Sequence, residues 1–298
     1  MEDKCVTVIG AVNVDICGRP QNKLNMRDSN PGLVTFAPGG VGRNIAHNLR
    51  LLGLNVKFIA AIGTDVYGES IMQSCVDLGM DMSLARKVFG GRTSSYVYIC
   101  DEKGDMAVAV CDTDISESIT PEYLSECLDE INASDAVVFD GNLTAETVRW
   151  IAENVSAPLY ADPVSAAKAE RLKPALSKLR AFKPNEVEAM KMTGGQNPEK
   201  AAEALVKAGV KRVFVSMGAE GLIAAESGKI LKLPCEKTEL VSANGAGDAA
   251  MAAIVWADIN GLSLEESAKC AEKAAAVAIS CGETVNPKMS VQEIVATC

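Results

Sequence analysis

The chain has 298 residues, of which 48% are hydrophobic, and a formal net charge of −10 at pH 7. This composition is sufficient for one large or two small α/β domains, and an acidic chain without a basic stripe is not expected to bind a nucleic-acid polymer. No apolar run approaches the ~20 residues of a membrane span, so no membrane contact is expected. Ten scattered cysteines without a CxxC pair favour a cytoplasmic protein with reduced thiols.

The first predicted element is a buried strand at residues 5–14, because this run is rich in β-branched residues and lacks helical spacing. Polar residues follow at its carboxyl end, which is where open α/β sheets bind ligands. Asn13 and Asp15 lie on one side of an extended chain, so together they can hold a vicinal diol. The structural alternative is that Asp15 only closes the strand as a turn residue.

A second, smaller sheet is predicted beside the main one. Residues 18–38 are polar and interrupted by Pro and Gly, which indicates an excursion from the core with a short strand at 33–36. Two further strands, 93–100 and 106–111, form a predicted hairpin. Together these three strands are expected to make the second sheet.

A glycine-rich turn followed by an amphipathic helix is predicted at residues 38–52. Gly40 and Gly42 let a ligand approach the backbone closely, and Asn44 lies in the first helical turn. His47, on the same helix, is interpreted as a packed or solvated side chain rather than a catalyst.

From about residue 136 the pattern alternates between strands and helices. The predicted strands are 136–139, 159–162, 181–183 and 212–216, and the predicted helices are 144–154, 187–192, 198–208, 264–280 and 291–297. Such alternation predicts an α/β fold with a doubly wound, mostly parallel sheet.

Polar residues again follow the ends of the later strands. Asn185 and Glu188 can orient a hydrated Mg²⁺, which usually keeps several waters and few protein ligands. The same stretch is also a plausible helix start. Ser216, with Gly218 and Gly221, suits a nucleotide but equally a hairpin turn.

The stretch 242–253 combines a glycine-rich turn, a carboxylate and a run of helix formers. Gly245 and Gly247 permit a tight entry into a helix whose first N–H groups are unpaired, and these groups can hold an anion. Asp248, in the first turn, can accept a hydroxyl proton beside that anion. The alternatives are an ordinary helix start and a loose dinucleotide fingerprint, and the latter lacks a convincing strand before it and a suitable acidic partner.

Taken in order, the segments 39–44, 183–188, 216–221 and 244–248 resemble the ribokinase-like (PfkB-type) carbohydrate kinases, over essentially the whole chain. The resemblance implies a single domain over residues 1–298, with a β-sheet lid made from about 17–38 and 92–111. It also implies ATP-dependent phosphorylation of a primary hydroxyl on a ribose, with a nucleoside as the small-molecule substrate and Mg²⁺ as the metal. A homodimer formed through the lid is a further expectation.

The resemblance also assigns roles to individual residues. The catalytic group is Asp248 as base, with the amides of Gly245, Ala246 and Gly247 around the transferred phosphoryl group. The substrate group is Asn13, Asp15, Gly40, Gly42 and Asn44 for the ribose hydroxyls, Asn142 for the sugar or base, and Ser29, Asn30 and Thr93 in the lid for the base. The nucleotide group is Lys183, Asn185, Ser216, Gly218 and Gly221, with Glu188 contacting Mg²⁺ through water.

Two departures from the family pattern bear on the monovalent-cation site and on the substrate. Ser242 and Ala243 replace the usual Asp-Thr pair that helps to form a monovalent-cation site, which predicts weak potassium dependence. Val41 replaces the lysine of ribokinases, which argues against free ribose as the substrate. Three alternatives stay open: a related kinase for another nucleoside or sugar such as adenosine, ribose or a ketose, a non-catalytic nucleoside sensor, and a hydride-transferring dinucleotide enzyme.

Overall fold

The computed structural model describes residues 4–295, which form an eight-stranded, a four-stranded and a two-stranded sheet with helices around them. The strands are β1 (Cys5–Ile9), β2 (Asn13–Pro20), β3 (Gly32–Gly39), β4 (Asn55–Ile59), β5 (Ala61–Gly63), β6 (Arg86–Val88), β7 (Ser95–Cys100), β8 (Met106–Asp112), β9 (Ala136–Asp140), β10 (Leu159–Asp162), β11 (Leu179–Phe182), β12 (Arg212–Ser216), β13 (Leu222–Glu226) and β14 (Lys229–Leu233). The α-helices are α1 (Val41–Leu51), α2 (Val66–Asp77), α3 (Pro121–Glu126), α4 (Leu128–Asn132), α5 (Ala145–Asn154), α6 (Glu186–Thr193), α7 (Pro198–Lys207), α8 (Ala246–Ile259), α9 (Leu264–Ile279) and α10 (Val291–Val295).

The eight-stranded central sheet has the order β14-β13-β12-β11-β10-β9-β1-β4. It is parallel from β12 to β4, and β13 and β14 extend it as antiparallel strands. Helices α1, α2, α8 and α9 pack against the apolar cluster on one face, and α5, α6 and α7 pack against the cluster on the other. The predicted doubly wound, mostly parallel α/β fold is therefore confirmed.

Capping side chains set the starts of several helices. Thr144 before α5, Asn185 before α6 and Ser263 before α9 each accept a hydrogen bond from a backbone N–H three residues further on. Asn185 and Ser263 also form reciprocal capping boxes with Glu188 and Glu266. These bonds satisfy N–H groups that a helix start would otherwise leave unpaired.

The single strand predicted at residues 5–14 is wrong, because the chain leaves the central sheet between β1 and β2. Gly10 lies directly against Asp140, and a Cβ at this position would overlap the Asp140 carboxylate. The same carboxylate accepts a hydrogen bond from the N–H of Ala11 at 2.9 Å. The backbone turns out of the sheet here, and Asp15 lies on the small sheet instead.

The four-stranded sheet, here called the lid sheet, has the order β3-β2-β7-β8. Its central pair, β2 and β7, is parallel, and the outer pairs are antiparallel. The predicted hairpin of β7 and β8 is confirmed, whereas the sheet begins at Asn13 rather than near residue 17.

Other differences from the predicted elements are local. Residues 56–62 form one mostly apolar run, which predicts a single strand. The structure divides this run into β4 and β5, because β5 leaves the central sheet to pair with β6. The antiparallel strands β13 and β14 were not predicted. The helix predicted at 291–297 is described as far as Val295, and its remaining positions lie outside the described residues. Within residues 4–295, every helix is too short or too polar to cross a membrane.

Candidate active site

Polar side chains meet where β9, β10 and β11 end at the carboxyl edge of the central sheet, beside the N-termini of α1 and α8. The N-terminus of α8 is a turn of backbone N–H groups, here called the anion cradle (residues 245–247). Gly245 has a φ of 78°, in the left-handed region, and a Cβ there would overlap the carbonyl oxygen of Thr284. The 14-residue helix behind the cradle directs its positive dipole end toward this point.

Asp248 lies in the first turn of α8 and is half-buried. Its Oδ2 accepts a hydrogen bond from Nδ2 of Asn44 at 2.9 Å. Burial, reinforced by the negative charge of Asp162, raises the pKa of Asp248 to about 7, although the Asn44 bond and the charge of Lys183 act in the opposite direction. A carboxylate in this state can accept a proton near neutral pH.

Lys183 and Asp162 form a buried ion pair at the ends of β11 and β10, with Nζ 3.0 Å from Oδ2. Burial opposes the positive charge, but Asp162, together with Glu188 and Asp248, outweighs that effect and holds the pKa of Lys183 above its usual value. A Cβ on Gly247 would lie 3.3 Å from this ammonium group. A permanent cation therefore sits directly beneath the anion cradle.

Asp140 and Asn142 lie together at the end of β9 and are connected by hydrogen bonds. Asp140 Oδ1 accepts hydrogen bonds from the backbone N–H of Asn142 at 2.8 Å and from its Nδ2 at 2.9 Å. Oδ1 of Asn142 accepts a bond from Nζ of Lys168 at 2.5 Å. The Asn142 amide, predicted to face the substrate, is thus engaged by protein groups on both sides.

Asn13 and Asp15 lie together at the start of β2, as their spacing predicted. Nδ2 of Asn13 donates to Oδ1 of Asp15 at 2.5 Å, and a Cβ on Gly39 would overlap the Asp15 carboxylate. Burial raises the pKa of Asp15, and the bond from Asn13 and the charge of Arg43 counteract this effect. The pair faces the entrance to α1.

The N-terminus of α1 packs closely on the exit of β1. Gly40 has a φ of 100°, and a Cβ on Gly42 would lie 2.9 Å from backbone atoms of Gly10. Glycine is required at both positions for these reasons. Asn44 is 4% exposed, and among the described residues its Oδ1 has no hydrogen-bond partner. A buried acceptor without a protein partner therefore lies next to Asp248.

The predicted lid residues Thr93 and Asn30 are engaged by other protein groups. The Thr93 hydroxyl donates to Asp65 at 2.6 Å and accepts from the N–H of Gly63 at 3.1 Å. The Asn30 amide closes its own loop by donating to the carbonyl of Asn25 at 2.9 Å. Ser29 belongs to the same loop, past the far end of β2 from Asp15.

The predicted nucleotide residues do converge. Asn185 and Ser216 form an isolated parallel bridge, and Glu188 Oε2 accepts from the N–H of Asn185 at 2.7 Å. Gly218 and Gly221 both have positive φ values in the turn between β12 and β13. The two structural alternatives raised from the sequence, a helix start and a hairpin turn, are therefore present at the predicted site itself.

Four charged residues described at the site were absent from the predicted set, and one of them, Asp140, was visible from the sequence only as the end of a strand. Asp162 was visible from the sequence only as a polar strand end. Lys168 gave no signal, because its contact with Asn142 spans 26 positions. Arg43 lies within the glycine motif, is buried, and donates to the carbonyl of Pro38 at 3.2 Å.

A helix N-terminus, a carboxylate with a raised pKa and a buried lysine lie together here, and this combination suits the transfer of a phosphoryl group to a hydroxyl. Residues 3–290 match the sequence model of the pfkB family carbohydrate kinases. The chain belongs to this family.

Relatives and solved structures agree with this assignment. The pseudouridine kinase of Escherichia coli (strain K12) is 36% identical over 304 residues, covering 99% of this chain and 96% of the relative. A carbohydrate kinase from Agrobacterium tumefaciens superimposes with a TM-score of 0.85 and 30% identity, covering 98% of this chain and 96% of that one. Arabidopsis thaliana ribokinase complexed with ribose and ATP shares the fold, with a TM-score of 0.86, 21% identity, and coverage of 99% and 98%.

Proposed function

We propose that the protein phosphorylates the 5′-hydroxyl of pseudouridine, with ATP as the phosphoryl donor. The observation that carries the proposal is the Asp248 carboxylate at the anion cradle, in a chain 36% identical to a pseudouridine kinase over nearly its full length. A nucleoside kinase of this kind needs alignment, a base and charge stabilisation, and forms no covalent enzyme intermediate.

In the proposed reaction Asp248 accepts the proton of the 5′-hydroxyl. The hydroxyl oxygen then forms a bond to the γ-phosphorus, and the bond from that phosphorus to the bridging oxygen of ADP breaks. Asn44 holds Oδ2 of Asp248, which leaves Oδ1 to face the hydroxyl. The N–H groups of the cradle and Nζ of Lys183 stabilise the negative charge on the transferred group.

The nucleotide is proposed to lie along Asn185, Ser216, Gly218 and Gly221. Oxygen donors suit Mg²⁺, and the capping box leaves Oε1 of Glu188 for a metal-bound water. When bound there, Mg²⁺ would supply positive charge that offsets the negative charge of the phosphates.

The ribose is proposed to bind against Asn13 and Asp15, with the free Oδ1 of Asn44 accepting from a further hydroxyl. A substrate lacking a ribose hydroxyl would leave these buried groups unpaired, which is costly. Recognition of the base by Asn30 or Thr93 requires these side chains to exchange their bonds to Asn25 and Asp65 for bonds to the base, and Ser29 belongs to the same loop as Asn30.

The test is a panel of acceptors with ATP, followed by ADP release and identification of the product. The value of kcat/KM for pseudouridine should exceed those for uridine, adenosine, ribose, fructose 6-phosphate and deoxyribose analogues. A higher value for another nucleoside or sugar would support the alternative kinase and refute this substrate. ATP binding without turnover of any acceptor would support the non-catalytic sensor.

A second copy of this chain is the proposed partner of the lid sheet. Strand register places Val34, Phe36, Val97, Val108 and Val110 on one face, and these side chains are 39% to 69% exposed. A self-complementary apolar face suits a two-fold homodimer. Light scattering should show a dimer that Val110→Lys dissociates and that Thr35→Lys, on the opposite face, does not. A monomeric wild type would refute this.

A further inference from the structure

The loop after α9 connects to the anion cradle through a buried side chain with no role in the reaction described above. Asn286 is 2% exposed. Its Nδ2 donates to the carbonyl of Val277 at 2.7 Å and to Oγ of Ser280 at 3.2 Å, and its Oδ1 accepts from the N–H of Lys288 at 3.0 Å. One amide therefore ties both ends of the loop to the last turn of α9.

This loop forms the wall behind the cradle. The carbonyl oxygen of Thr284 lies so close to Gly245 that a Cβ would overlap it. Thr284 therefore packs directly against the backbone of the residue that precedes α8. Gly245 is the N-cap of that helix, so the direction of the first N–H groups depends on this contact.

The end of α9 also holds the segment that leads into the cradle. The carbonyl of Ile279 accepts hydrogen bonds from the N–H of Val241 at 2.9 Å and of Ser242 at 3.2 Å. This segment has no regular secondary structure, and Val241 is 55% exposed. The cradle is thus fixed from two sides by groups at the end of α9.

A monovalent cation, which the family resemblance implies near Ser242 and Ala243, does not fit the residues found here. Neither side chain supplies a carboxylate, and two N–H groups already occupy the nearby Ile279 carbonyl. Instead of a bound cation, the hydrogen bonds from Val241 and Ser242 to Ile279 hold the segment that leads into the cradle.

We infer that Asn286 is a positioning residue for phosphoryl transfer: by fastening the loop at residues 280–288 to α9 it fixes the anion cradle from behind. It contacts neither ATP nor the acceptor in the proposed arrangement. The inference rests on the kinase function but not on the identity of the acceptor.

The decisive variant is Asn286→Asp, which preserves size and the acceptor for Lys288 but replaces the Nδ2 donor toward Val277 with an oxygen. A surface control is Asn154→Asp, whose side chain is exposed. Its Nδ2 makes the same kind of bond, to the carbonyl of Trp150 at 2.8 Å, at the end of a helix on the opposite face of the central sheet. Ser280→Ala is a milder second variant, which removes one partner of Asn286 and keeps the Val277 bond.

For Asn286→Asp, the KM for ATP should rise and kcat should fall, each roughly 10-fold or more, because a small misplacement of a phosphate-holding group is costly. The KM for the acceptor should change less than about two-fold. Ser280→Ala should shift the same constants by a smaller factor, and Asn154→Asp should leave them unchanged. Calorimetric titration of the folded variants with ATP, which needs no acceptor, should show the same weakening.

A lower kcat with both KM values unchanged would mean only a smaller folded fraction, and would overturn the inference. Unchanged ATP binding, or an equal effect of Asn154→Asp, would also overturn it. If Asn286→Asp does not fold, the ATP affinity of Ser280→Ala decides. Failure of pseudouridine as acceptor leaves this test intact, because the titration reports on ATP alone.

Discussion

The central-sheet side and the lid-sheet side of the candidate active site are built differently. On the central-sheet side, Asp162, Lys183 and Glu188 are only 4–5% exposed and are held by ion pairs and capping bonds. On the lid side, Asp15 stands on a four-stranded sheet whose opposite face is apolar and open to solvent. The groups proposed for phosphoryl transfer are thus fixed in the core, whereas the carboxylate proposed to bind the acceptor stands on a sheet with one solvent-exposed face.

The largest expected effect comes from the core half. Asp248→Asn should lower kcat by ~10²-fold or more, the usual contribution of a positioned base, with both substrates still binding. Steady-state kinetics and calorimetric titration would measure the two effects separately. Near-normal turnover would remove Asp248 from the mechanism.

Thermal unfolding provides the control for that variant. The raised pKa of Asp248 means that the ionised carboxylate destabilises the folded protein, so stability present below the unfolded pKa is lost as the pH rises through about 7. The melting temperature of Asp248→Asn relative to wild type should therefore increase from pH 4 to pH 8. A lower melting temperature at all pH values would indicate a damaged fold.

The lid half is tested by Asp15→Asn. Loss of the carboxylate should raise the KM for the nucleoside roughly 10-fold, since a charged hydrogen-bond partner of its hydroxyls is removed, and leave the KM for ATP unchanged. Asp112→Asn, on the same sheet and paired with the exposed Arg92, is the matched control. An equal rise in both KM values would contradict the separation of the two halves.

The pH dependence of kcat/KM tests the arrangement of charges around Asp248. Because the base must be ionised, kcat/KM should rise with pH through about 7. Asp162→Asn removes a negative charge beside Asp248. It also removes the ion-pair partner of Lys183, so that the positive charge of Lys183 acts more strongly on Asp248. Both changes lower the pKa of Asp248. The rising limb should therefore move to lower pH, as a pH–rate profile would show. Movement in the other direction would exclude this charge arrangement.

The smallest expected effect is that of potassium. With Ser242 and Ala243 in place of a carboxylate-bearing pair, adding potassium to a buffer free of potassium and sodium should change kcat/KM less than about two-fold. Strong activation would mean that backbone carbonyls bind the ion without a carboxylate.

The sequence predicted the fold and the cradle because both depend on local signals. Alternating apolar runs define a parallel sheet, and glycines before a helix define the turn that ends at Asp248. The break between β1 and β2 was not predictable, because β-branched residues continue on both sides of it and the turn depends on Asp140, which is 129 positions from Ala11.

Long-range partners also explain what was missed within the site. Thr93 is tied to Asp65, and Asn142 to Lys168, across 28 and 26 positions. Nothing in the local pattern around Thr93 or Asn142 indicates that a protein group already occupies the side chain. Asn44 differs, because its position in the first turn of α1 could be predicted, although its bond to Asp248 could not.

The lid sheet connects to the core at one end of β2 and β3, and the rest of these strands extends away from that connection. Strands β2 and β3 enter and leave the core at residues 10–12 and at Gly40, beside Asp15 and Asn44. Each strand has eight residues and extends outward by ~26 Å, at about 3.3 Å per residue. A rotation of the sheet by a few degrees about this connection would move the outer ends of β2 and β3 several times farther than Asp15. A ligand bound to both Asp15 and Asn44 would therefore contact the sheet close to the point where it joins the core.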